Sequence, residues 1–88
     1  MLELKETKAS VPQKTAIALK GNELANYLFQ ADYLKIDDKL ISMKYLTSPQ
    51  KVLKVLQQYG VKRLKVGTMG PSLKSFFRNY GIEVLNGR

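Results

Sequence analysis

Two stretches of this chain read almost alike, and together they limit its fold more than anything else in the sequence. Residues 56–67, "LQQYGVKRLKVG", and residues 77–88, "FRNYGIEVLNGR", each pass from an apolar residue through two polar ones into Tyr-Gly, a β-branched residue and a strand-like segment. An amphipathic segment opened by proline precedes each. Thr47 or Ser48 can cap the first, and Pro49 suits its first turn, where a missing N–H goes unneeded. Val52, Val55, Leu56 and Tyr59 then fall at i, i+3, i+4 and i+7, one stripe of a helix. Pro71, Leu73, Phe76, Phe77 and Tyr80 repeat the pattern. Gly60 and Gly81 end both helices, because glycine enters the left-handed conformation without a Cβ penalty. Two successive helix–strand units require parallel pairing and right-handed crossovers.

The upstream half supplies the other strands. In "KTAIALKG", Thr15, Ile17 and Leu19 alternate with Ala16 and Ala18, so both faces suit burial and a central strand is expected, ended by Gly21. In "NELANYLFQA", Leu24, Tyr27 and Leu28 have helical spacing, which predicts a short helix or turn. "DYLKIDDKLISMKYL" reads as a hairpin turning at Asp37-Asp38. Leu34 and Ile36 alternate with Tyr33 and Lys35 in its first strand, and Ile41, Met43 and Tyr45 with Leu40, Ser42 and Lys44 in its second. The expected order is strand, hairpin, helix, strand, helix, strand. That is an α/β fold with a mixed five-stranded sheet and helices packed on it. One domain over residues 14–88 follows a polar tail over residues 1–13.

Composition narrows the function. A chain of 88 residues is a single domain that buries only about 60–65% of its unfolded surface. It has no cysteine and no histidine, hence no disulfide, no thiolate nucleophile and none of the commonest metal ligands or general bases. No stretch approaches the roughly 20 apolar residues of a membrane span, and "MLELKETKASVPQ" has no apolar signal core, so the cytoplasm is the expected location. The net charge of +8 favours acidic partners: an anionic ligand or cofactor, a nucleic acid, or an acidic protein surface. Of the 15 cations 12 are lysine and 3 arginine, a balance that points away from base-by-base readout.

"VGTMGPSLKSFFRNYGIEVLNG" resembles the closing segment of the dinitrogenase iron–molybdenum cofactor-binding family, the nitrogenase accessory proteins. That family shows an apolar strand, a Gly-x-x-Gly-Pro turn, an amphipathic helix and a Gly-Ile/Val strand. "TAIALKGNELANYLFQADYLKIDD" is similar to its opening strand, polar loop and second strand, so the resemblance spans roughly residues 14 to 87. It implies a ribonuclease-H-like fold and a non-catalytic role, holding an iron–molybdenum or iron–sulfur type cofactor or its precursor. The chain departs from the family in three places. Tyr27-Leu28-Phe29 stands where many members have His-Phe-Gly; the cysteine or histidine near the second helix is absent; and the family's C-terminal helix is absent beyond Arg88.

The candidate ligand site is the turn leaving the "RLKVG" strand. Gly67, Thr68, Met69 and Gly70 there, with Lys20 and Asn22 after the first strand, would line a crevice at the carboxyl ends of adjacent strands. Backbone N–H groups and the next helix's N-terminus would face an anion, with Lys74 one turn on. Met69 is the loop's only soft donor. The plainer alternative is that Gly67 permits close packing and Gly70-Pro71 starts a helix. Lys51, Lys54, Lys62, Arg63 and Lys65 form the alternative site, a phosphate-binding face, unaccompanied by any zinc-finger, helix-turn-helix or RNP-like pattern. No metal site and no catalytic residue is expected: the first strand carries no carboxylate, and Asp37 and Asp38 read as turn residues. A sheet face left bare would favour a homodimeric scaffold.

Overall fold

The computed structural model describes residues 14–87; the tail assigned to residues 1–13 lies outside the described residues, as does Arg88. Six strands form one mixed sheet: β1 Lys14–Lys20, β2 Glu23–Leu24, β3 Tyr33–Ile36, β4 Lys39–Ser42, β5 Val61–Val66 and β6 Glu83–Asn86. Two helices, α1 Pro49–Gln58 and α2 Pro71–Asn79, connect β4 to β5 and β5 to β6. The spatial order is β4-β3-β1-β5-β6, with β2 added to the end of β1. β5 and β6 run parallel to β1, and β3 runs antiparallel to both of its neighbours.

Both helices form for the reasons the sequence offers. Ser48, not Thr47, caps α1: its Oγ accepts the Lys51 N–H at 3.3 Å. Gly60 and Gly81 take φ values of 71° and 81° just past the helix ends. Past α2 the Ile82 N–H returns to the Phe77 carbonyl at 2.9 Å, so Ile82 packs back on the helix it has just left. Asp37 also takes a left-handed φ, 54°, in the hairpin turn.

A single core lies between the sheet and the helices. Ala16 and Ala18 of β1, Leu34 and Ile36 of β3, and Leu64 and Val66 of β5 are buried with Val52 and Leu56 of α1 and Phe77 of α2. Register puts the strand residues on one face, since Ala16 pairs with Ile36 and Leu64, and Ala18 with Leu34. The residues alternating with them are half-buried or exposed, so both helices cover the same side of the sheet.

Four expectations need correction. The sheet has six strands, because Glu23–Leu24 pairs with Leu19 and Lys20. Residues 22–31 therefore hold that short strand ahead of the expected short helix, which is a 3₁₀ turn at Leu28–Gln30; Leu28 is buried as its anchor while Tyr27 faces solvent. The second hairpin strand ends at Ser42, whose Oγ accepts the Lys44 N–H and turns the chain into a 3₁₀ turn, Met43–Tyr45. Met43 enters the core and Tyr45 does not. β1 is central, as expected, but the described residues cover only one of its faces, and of the α2 stripe Tyr80 is exposed.

Candidate functional site

The loop after β5 does not stand open beside β1. Ala25, just past β2, donates its N–H to the Ala18 carbonyl at 2.9 Å and accepts the Gly67 N–H at 2.8 Å. Asn26 accepts the Thr68 N–H at 2.6 Å. The β2 segment thus lies between the end of β1 and the loop, and two N–H groups expected to face an anion are bonded to protein carbonyls. Gly67 permits this approach: a Cβ there would sit 2.9 Å from Asn26 Cα and 3.0 Å from the Ala25 oxygen. Its own carbonyl accepts Asn86 Nδ2–H at 3.4 Å. Met69 is only 7% exposed and belongs to the core cluster.

What remains outward at the strand ends is a set of exposed residues. Thr68 and Gly70 are exposed, and so are Lys20 and Asn22. Gly70 caps α2 with no side-chain hydrogen bond, and a Cβ there would touch nothing. The Gly21 N–H donates to Asp32 Oδ2 at 3.0 Å, tying the β1–β2 turn to the start of β3. An open depression of about 400 Å³ beside it is lined by Lys20, Glu23, Leu24, Ala25, Asn26 and Gln30, and Tyr27 and Phe29 are exposed on the same segment. Lys74 lies elsewhere, in an open depression of about 420 Å³ with Arg78, Gly81, Ile82, Glu83 and Val84.

The five basic residues of the alternative site separate. Lys51 and Lys54 lie on α1 along a groove with Gln50, Leu53 and Gln57, in the helix layer, where Lys51 Nζ also donates to Thr47 Oγ1 at 3.4 Å. Arg63 and Lys65 point to the opposite, uncovered face, beside Thr15 and Ile17 of β1. Lys62 is the extra residue where the β1–β5 register shifts between Lys14 and Thr15. Arg63 Nε is 3.4 Å from Glu83 Oε1, close enough for an ion pair, although its N–H makes no hydrogen bond of good geometry.

That face, which no described element covers, brings together residues the sequence does not single out. One row crosses all five long strands: Leu40, Lys35, Ile17, Lys65 and Leu85. The next holds Ser42, Tyr33, Leu19 and Leu24. None of Ile17, Leu19, Leu24 or Leu85 packs against the core cluster. Among the described residues no group of three or more His, Cys, Asp or Glu side chains is placed to hold a metal ion, and no helix is long and apolar enough to cross a membrane.

Strand order and layering define a small α/β fold, with a mixed six-stranded sheet and, among the described residues, two α-helices on one side. The crystal structure of PH0822 has a similar fold, with a TM-score of 0.66 at 13% identity over 85% of this chain and 78% of that one. No family model matches the chain, and no curated protein matches it.

Proposed function

We propose that this chain is a non-catalytic cytoplasmic binding protein on a ribonuclease-H-like fold, holding an anionic ligand on its strand-end surface. The strand order, with β3 alone antiparallel among the five long strands, supports the finer fold assignment. One observation carries the functional reading. The Gly67 and Thr68 N–H bonds fasten the loop after β5 to the segment after β1, so Lys20, Asn22, Asn26, Thr68 and Gly70 share one braced edge. Ligands of open α/β sheets bind at such an edge.

The resemblance to nitrogenase accessory proteins implies an iron–molybdenum or iron–sulfur type cofactor as that ligand. Direct iron coordination does not fit these residues: thiolate and imidazole are missing from the sequence, and the one nearby sulfur, in Met69, is buried. An anion held through the Lys20 ammonium, the Thr68 hydroxyl and the uncapped first turn of α2 fits them better.

The test is an amide-shift titration of the ¹⁵N-labelled protein with citrate and, anaerobically, with isolated iron–molybdenum cofactor. Saturable changes at residues 20–30 and 68–72 with either probe are the expected result. Changes confined to other residues, or none with both probes, overturn the reading.

A further inference from the structure

The strand-end reading does not use the sheet face opposite the helices. Its central row alternates apolar and cationic residues, Leu40, Lys35, Ile17, Lys65 and Leu85, and Arg63 stands one row away. Tyr33, 42% exposed, lies next to Leu19 in the adjoining row, and Leu40 is 58% exposed. Among the described residues three cations, Lys35, Lys65 and Arg63, lie on that face against one acid, Glu83, which already lies beside Arg63. A second copy of the chain would press a face of the same net positive charge against this one. Lys35 and Lys65 would then be desolvated with no acid of their own, a costly arrangement. The face complements a partner that brings negative charge and flat apolar surface together.

We propose that this face binds single-stranded nucleic acid, Lys35, Lys65 and Arg63 contacting phosphates while Tyr33 stacks a base. Single strands suit it because their unstacked bases present π-faces to aromatic and aliphatic side chains while the backbone follows the cations. Lys35 and Lys65 flank β1 on strands two apart, hence about 10 Å from one another at the backbone. The apolar stretch between them, Ile17 and Leu19, is the floor on which bases lie. Contacts of this kind are tolerant of sequence, in keeping with a cation set dominated by lysine.

The experiment is fluorescence anisotropy of a labelled oligothymidylate across a salt series. Three phosphate contacts predict a slope of log affinity against log salt of about −2. Lys35→Ala and Lys65→Ala each reduce that slope by about 0.7. Tyr33→Ala weakens binding roughly tenfold and leaves the slope alone. Lys51→Ala, in the helix layer, changes neither. Amide-shift mapping on the unsubstituted protein needs no variant to fold, and expects changes at residues 15, 17, 19, 33, 35, 65 and 85. Equal slope losses from Lys51→Ala overturn the proposal. So does an acidic amphipathic peptide that binds these residues where the oligonucleotide does not, or shift changes confined to residues 20–30 and 68–72. That last outcome would leave the strand-end reading standing, so the two proposals fail separately.

Discussion

β1 shows both sides of this molecule within one strand. On one side Ala16 and Ala18 are wholly buried, and the larger Leu34, Ile36, Leu64 and Val66 flank them. Small residues at the sheet's centre let α1 and α2 approach, while their neighbours fill the space to interior density. On the other side Thr15, Ile17 and Leu19 are only half-buried, and the strands beside them carry lysine, arginine and tyrosine. The apolar alternation in β1 does not distinguish the two faces; the neighbouring strands do. Lys35 and Lys65 interrupt what would otherwise be an unbroken apolar row from Leu40 to Leu85, which keeps the bare face in water.

The sharpest test of that difference is Leu64→Ala. It removes a fully buried side chain at the sheet's centre, and a loss of about 2–5 kcal/mol is expected in urea denaturation. For a domain this size each kcal/mol lowers the melting temperature by about 4–8 °C, so the variant sits near unfolding at physiological temperature. A loss below 1 kcal/mol would mean that the helix side is loosely packed. Gly67→Ala comes next, at about 1–3 kcal/mol, because its Cβ would press on Asn26 and Ala25 backbone atoms that cannot swing aside. Its amide spectrum should change at residues 25, 26 and 68 first. Ile17→Ser, on the bare face, is expected to cost about 1 kcal/mol by the same denaturation measurement. A cost equal to that of Leu64→Ala would show that something covers this face. Gly70→Ser is the smallest effect, a gain of a few tenths of a kcal/mol from a new cap on α2, read as a slightly higher melting temperature. A loss there would mean that the open backbone at Gly70 serves packing.

Local signals made much of the fold legible. Proline, an apolar stripe and glycine delimit both helices, and Asp37-Asp38 marks the hairpin, because turns and caps depend on residues near one another in sequence. β2 escaped notice for the opposite reason. Two residues carry no periodicity, and Glu23–Leu24 is a strand only because the end of β1 lies free beside it. The strand-end site was half visible. Thr68, Gly70, Lys20 and Asn22 are exposed where the spacing suggested, but the acceptors of the Gly67 and Thr68 N–H groups lie more than forty residues upstream. The bare face was hidden by register. Lys35 and Lys65 become row neighbours of Ile17 through two different pairings, one antiparallel and one parallel, which no window along the chain contains.

β1 meets its two long neighbours at very different distances along the chain. Ala18 pairs with Leu34 after a short excursion, whereas Ala16 pairs with Leu64 only once the hairpin and α1 have been made. Closing a short loop costs less entropy, so pairing of β1 with β3 and β4 is expected to precede the docking of β5. Until then one long edge of β1 carries unpaired N–H and C=O groups, and β2 protects only its last two residues. Any chain in which β5 has not yet docked, during synthesis or refolding, exposes that edge. There the vacant edge is open to β1 or β5 of another copy, and strand exchange competes with the intramolecular closure that completes the sheet.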